Sequence, residues 1–310
     1  THVADENISW STNAGIAGDL LLTAMQCLWM AGDPNNPHLL YRSKTARPES
    51  WPIINETTGN AHSLPISSPD NPIMGLAEFN GEIVCLCKNS IFTVRMDSGV
   101  MRGPIRTPAN RGLFRKGSWG YVDNGIWFLA YDGIYAWNGS TVQKVSFAVD
   151  FVFNGQEVNG IKPYDKDSNA SKLVNIQQKG NEVFINYYDT SGAGNVLRYN
   201  LLFDRWSLDQ IYDQDSVLNA DKVCNVTGMF MDNTSSEMYA AKSTKTSNSP
   251  ATYSSDIIIY DKQGNYQDGG PSTTPQKIKY EAFSKVYDMG APFIKKNITD
   301  VYLELTSGLV

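Results

Sequence analysis

Residues 116–146 constrain this chain more than any other stretch. Gly117-Ser118-Trp119-Gly120-Tyr121-Val122 alternates and meets Asp123-Asn124-Gly125, after which Ile126 to Tyr131 runs into Asp132-Gly133. Ile134-Tyr135-Ala136-Trp137 then stops at Asn138-Gly139, and Thr141 to Val145 follows. Asn-Gly and Asp-Gly between apolar runs are strong hairpin signals, because a tight primed turn needs positive φ at its central residues. Four short antiparallel strands in about thirty residues make one blade of a β-propeller.

Weaker copies flank this unit. Upstream, Ile73 to Phe79, Asn80-Gly81, Glu82 to Cys87 and Ser90 to Arg95 supply three strands. Downstream, Leu173 to Gln177, Gly180-Asn181, Glu182 to Tyr188 and Asn195 to Asn200 repeat the pattern and close on Asp204-Arg205-Trp206-Ser207. Val226 to Met231, Glu237 to Ala241 and Asp256 to Tyr260 form another set. The sets recur roughly every 45 to 60 residues, in the range of blades carrying loop insertions. A strand is expected at Cys27 to Ala31 and a short helical turn at Val149 to Phe153. Ser243 to Thr252 reads as a polar flexible loop. Asp268 to Pro275 reads as a domain boundary.

The expected fold is therefore all-β and β-propeller-like, with four-stranded antiparallel blades over residues 1–270. Residues 271–310 would hold a linker and the start of a second β-domain, from Ile278 to Phe283 and Ile298 to Thr306. Composition agrees: only 19% of residues are charged, and 16 Tyr, 12 Phe and 7 Trp suit pleated, half-buried surfaces. The opening Thr1-His2-Val3-Ala4 has no signal-peptide pattern, and no stretch reaches the roughly 18 apolar residues of a membrane helix. With a strand-like ending at Asp300 to Thr306, the chain reads as an internal fragment of a longer protein.

Function classes can be narrowed. A net charge of -6 argues against phosphate-backbone binding as the main task, which needs clustered Lys and Arg. The densest basic stretch, with Arg102, Arg106, Arg111, Arg115 and Lys116, reads as a solvated loop and strand edge. Cys27, Cys85, Cys87 and Cys224 form no CxxC pair, and with only His2, His38 and His62 to assist, a zinc site is not expected. All four are read as buried free thiols, with Cys85 and Cys87 on opposite faces of their strand. Asn7, Asn55, Asn138, Asn169, Asn225, Asn233 and Asn297 begin Asn-x-Ser/Thr sequons that the Asn, Ser and Thr content explains by chance.

No catalytic constellation emerges. The histidines fall in loop-like sequence and no Gly-x-Ser-x-Gly elbow is present. Ala130 to Trp137 has the Asp and Trp spacing of a sialidase aspartate box, itself a folding hairpin, but Ala130 replaces its leading Ser. Asp165, Asp167 and Asn169 match the start of a calcium loop that lacks its Gly and closing Glu. Trp119, Trp127, Trp137 and Trp206 could stack on sugars, although core packing is the simpler reading at strand positions. We expect no enzyme activity, no catalytic residues, no metal and no cofactor.

One pattern carries a resemblance. Ala31-Gly32-Asp33-Pro34, Leu39-Leu40-Tyr41-Arg42-Ser43 and Arg47-Pro48-Glu49-Ser50-Trp51-Pro52 precede the strand at Ile73 and Ser90-Ile91-Phe92. With the hairpin Gly125 to Tyr135 and the exit Ser284 to Gly290, this resembles the tail-hub or nozzle β-propellers of short-tailed phages, including packaged-DNA stabilisation proteins. The resemblance spans about Trp29 to Gly290. It implies a structural virion protein of the tail, assembled in the host cytoplasm as a homo-oligomeric ring, hexameric in that family. Its partners would be the portal or adaptor and other tail proteins, with packaged DNA passing without tight binding. The alternative is a carbohydrate- or protein-binding propeller, such as a receptor-binding or lectin-like module.

Overall fold

The computed structural model describes residues 18–48, 50–51, 61–123, 125–158, 160–167, 174–209, 212–214, 221–223, 225–232, 234–248, 251–260, 267–268 and 276–277. They all lie in the first of two compact units, Thr1–Ile278; the second is Lys279–Val310.

The first sheet joins β1 (Leu20–Ala24), β2 (Cys27–Ala31), β3 (Leu39–Arg42) and β4 (His62–Pro65) in sequence order. The second joins β5 (Ile73–Phe79), β6 (Glu82–Cys87), β7 (Ile91–Asp97) and β8 (Val100–Arg106). The third joins β9 (Trp119–Val122), β10 (Gly125–Ala130), β11 (Gly133–Trp137) and β12 (Val142–Lys144). A 3-10 turn at Phe147–Val149 and the short helix α1 (Asp150–Phe153) cross to the fourth. That sheet joins β13 (Asn175–Lys179), β14 (Glu182–Tyr188), β15 (Gly194–Asn200) and β16 (Arg205–Asp209). After the small pair β17 (Tyr212–Gln214) and β18 (Asp221–Val223), a three-stranded sheet joins β19 (Asn225–Asp232), β20 (Glu237–Asn248) and β21 (Ala251–Tyr260). A short pair, β22 (Gln267–Asp268) and β23 (Gln276–Lys277), follows.

Side-chain alternation stacks these sheets. On β6, Ile83, Cys85 and Cys87 face the first sheet with Trp29 and Leu40, while Val84 and Leu86 face the third with Ile126 and Phe128. On β10, Trp127 and Leu129 turn the other way and meet Val183, Ile185 and Tyr187 of β14. Phe184, between them on β14, joins Val196 in packing on Val226, Met229 and Met238. Each central strand thus buries both faces, which is why β10 reads as the unbroken run Ile126 to Ala130 instead of alternating with polar residues. The first strands neighbour one another, β1 against β5, β9 against β13, and β13 against β19. Consecutive meanders stacked through both faces around their first strands make the fold all-β and β-propeller-like.

The sheets approach closely at glycines. A Cβ on Gly120 of β9 would lie 2.3 Å from the Ile176 carbonyl oxygen of β13, and one on Gly194 would lie 2.4 Å from that of Val226. Polar links reinforce the contacts. The Tyr121 hydroxyl donates to the Glu78 carbonyl and accepts the Glu78 N–H, both at 3.0 Å. The buried Asn186 amide donates to Val226 O at 2.8 Å.

Several sequence expectations need correction. Cys85 and Cys87 share one face, because positions two apart on a strand point the same way. Ser243 to Thr252 is mostly the paired arms of β20 and β21, a long hairpin in place of the expected loop. β8 adds a fourth strand to the three expected between Ile73 and Arg95, and β16, which includes Trp206, completes the set that closes on Asp204 to Ser207. His62 opens β4 and is not in a loop. The turn after β10 is Tyr131–Asp132, with Gly133 already paired to Ala130, and Asn138-Gly139 begins a four-residue loop between Trp137 and Val142. In that loop Asn138 Oδ1 accepts the Ser140 and Thr141 N–H groups at 3.1 and 2.9 Å, so the Asn works as a side-chain cap.

Candidate functional site

The crossings between the first four sheets run over one end of the stack, where they are stitched to the turns joining second and third strands. Ile73 N–H donates to Pro37 O, Lys88 N–H to Pro72 O, and Leu113 N–H to Cys87 O, at 2.8, 3.0 and 2.9 Å. Phe114 N–H bonds Leu129 O, and further along Asp165 N–H bonds Tyr188 O. Long connections held on a rigid scaffold are where binding groups are usually displayed, so this end is the candidate site.

Three features lie there. The first is an open cleft of about 500 Å³, walled by Pro34, Pro37, Pro72 and Met74, with Asp33 and a Lys116–Asp19 ion pair of 2.7 Å. Asp33 is fully buried and accepts Asn35 N–H at 2.9 Å, Asn36 Nδ2 at 3.1 Å and the Tyr41 hydroxyl at 2.9 Å. Burial alone would raise its carboxyl, but these bonds outweigh it and hold the group below the usual range. Burial, with the Asp33 charge added, pushes the Tyr41 phenol upward. Asp33 is therefore a loop organiser whose lone pairs are already engaged.

The second feature is the β10–β11 turn. Asp132 receives Arg111 Nε at 3.3 Å and the Tyr135 hydroxyl at 3.0 Å. Burial works against ionisation of Asp132, and the Tyr135 and Arg111 bonds overcome it. The aspartate-box look-alike is a hairpin tied to the preceding crossing. Its Trp137 is buried, like Trp127, and both sit in core clusters between sheets. Trp119 and Trp206 are half-buried against the same clusters.

The third feature is an aromatic and cationic patch that the sequence reading missed. Tyr131 at the turn tip and Phe147 in the 3-10 turn are 66% and 70% exposed. Lys166 Nζ stands 4.2 Å from the Tyr131 ring centre, and Lys144 Nζ 5.5 Å from that of Phe147. Its members come from four separate segments, and only the fold assembles them.

Of the basic stretch, Arg102 and Arg106 lie exposed on β8, and Arg115 donates to Lys166 O while stacking near Phe114 and Tyr164. Asp165 Oδ1 caps Asp167 N–H at 3.1 Å, an Asx turn; Asn169 lies outside the described residues. Cys27, Cys85 and Cys87 are free and buried, and Cys224 lies outside the described side chains. Among the described residues, no three His, Cys, Asp or Glu side chains gather as a metal would require. No described helix is long and apolar enough to cross a membrane.

No family model and no curated protein matches the chain. Among solved structures, the WD40 domain of Toxoplasma gondii coronin aligns with 9% sequence identity and a TM-score of 0.38. That alignment covers 82% of this chain and 55% of the other, so the chain spans about half of that structure's length.

Proposed function

We propose that this chain is an architectural propeller that works by docking other proteins and, more narrowly, a hub or nozzle component of a phage tail. The observation that carries the architectural part is how the carboxylates of the connection end are used. Asp33, Asp132 and Asp189 each organise a turn or crossing, and Asp189 alone accepts Ser191 N–H at 2.8 Å, Ala193 N–H at 3.0 Å and Asn195 Nδ2 at 3.0 Å. Side chains committed to holding loops favour rigidity over turnover. The tail assignment rests on the sequence resemblance alone. In that reading the chain joins a homo-oligomeric ring beside a portal or adaptor, and DNA passes without being held.

Negative-stain imaging of the purified protein tests the assembly: rings of fixed copy number are expected, and a strictly monomeric particle at every concentration would count against a hub. The exposed Tyr131 and Phe147 favour a second reading, a lectin-like module. Specific retention on a glycan array that Tyr131→Ala abolishes would support it over the first.

A further inference from the structure

Tyr131 and Phe147 are large rings left in water, and both are set beside cations. Phe114 supports Tyr131 edge-on from behind, with ring centres 5.3 Å apart and planes at 80°. Lys144 is seated against the turn, since a Cβ on Gly133 would come within 2.8 Å of its Cε. The two lysines differ in one respect. Lys144 Nζ pairs with Asp150 at 2.8 Å. Lys166 Nζ lies over the Tyr131 ring, and among the described residues no carboxylate comes within ion-pair distance of it. Asp132 and Asp167 act on it only from further away. Burial holds its ammonium below the usual lysine range; the attraction of Asp132 opposes this and the weaker repulsion of Lys144 adds to it. A partly buried cation lacking a direct counter-ion is a place where an incoming carboxylate gains a partner.

We propose that Tyr131, Phe147 and Lys166 form a docking site for an acidic segment of a protein partner, its carboxylate on Lys166 and an apolar side chain across the two rings. The inference rests on the reading of the chain as a protein-docking propeller and adds the chemistry of the partner. Exposed aromatic rings supply contact area at low entropic cost and serve as anchors in protein recognition. The cationic centre selects an acidic partner. A nucleic acid fits less well, because Asp132, Asp150 and Asp167 would repel a continuous phosphate chain while a single carboxylate can enter between them.

Titration calorimetry with unlabelled synthetic peptides tests this. The probe is Gly-Ser-Gly-Glu-Leu-Phe-Gly-Gly-Ser, with one carboxylate beside two apolar residues; its counterpart carries Lys in place of the Glu, and a twelve-nucleotide oligothymidylate is the third ligand. The acidic peptide is expected to bind at least about tenfold more tightly than the other two, and less tightly as salt rises. Lys166→Glu should erase that preference, Lys166→Arg should keep it, and Tyr131→Ala with Phe147→Ala should weaken binding at least about tenfold. All are surface changes, and circular dichroism melts matching the parent confirm folding. Equal binding of acidic and basic peptides, tighter binding of the oligonucleotide, no binding of any peptide, or an unchanged Lys166→Glu variant would each overturn the proposal. Ring imaging does not depend on Lys166, so failure of this site and failure of the architectural reading remain distinguishable.

Discussion

Gln26 shows how much local cost the fold absorbs at one residue. The β1–β2 hairpin turns on Met25 at φ 52° and Gln26 at φ 60°, a region that Gly, Asn or Asp would occupy more cheaply. Met25 is partly buried against the core between the first two sheets, whereas Gln26 is exposed. Gln26→Gly should therefore stabilise the protein by about 0.5–1 kcal/mol, read as a higher denaturant midpoint at constant slope. Gly120 is the opposite case, constrained by crowding and not by φ. Gly120→Ala would drive a Cβ into the Ile176 carbonyl, and a loss of about 3 kcal/mol is expected in the same measurement. At the Asp33 loop, Tyr41→Phe should cost about 2 kcal/mol at pH 7 by removing a bond to a buried charge. Because the folded Asp33 carboxyl is depressed, its contribution is present above the unfolded carboxylate range and disappears as pH falls through the folded value. The gap between Tyr41→Phe and parent should accordingly narrow in acid melts. A gap that stays constant down to pH 2 would sink this account.

At the scale of elements, the blade at residues 116–146 was legible because its turns carry their own chemistry and its strands are short apolar runs. The same logic located β5, β6, β14 and β15 to within a residue. It failed where the signal was not local. Met25-Gln26 is a tight turn with no turn residue in it. Pro104 and two arginines, Arg102 and Arg106, disguised β8, an edge strand that needs only one hydrogen-bonded side. Lys166 lies 35 positions from Tyr131, so no spacing rule could pair them. Amide exchange should follow this layering. All six residues of β10 are buried between two flanking sheets, whereas β12 is half-exposed at the edge of its sheet. Hydrogen-exchange mass spectrometry should find β10 among the slowest-exchanging strands and β12 among the fastest, with β14 and β16 in the same relation. Uniform exchange across a blade would mean that the stack opens as a unit.

Across the whole molecule, the question is what an excess of six negative charges does to the approach of a polyanion. Arg95 pairs with Glu82, Arg111 with Asp132, Lys116 with Asp19, Lys144 with Asp150 and Arg198 with Glu182. Such pairs contribute little to stability at the surface, but they neutralise the groups that would otherwise meet phosphates. Duplex DNA binding gains its strength from counterions released as several Lys or Arg side chains dock along the backbone, each steepening the dependence on salt. A surface with an excess of negative charge, some of its cations already paired, repels the polyanion at a distance. Fluorescence anisotropy with a labelled 24-base-pair duplex should therefore show binding no tighter than about 100 μM at physiological salt, the weak end of non-specific affinity. If the chain does line a DNA path, weak attraction is what passage demands, since a wall that released many counterions would hold the DNA it is meant to let through. Sub-micromolar binding that falls steeply with salt would show a continuous cationic track and would replace the image of a passive wall with that of a clamp.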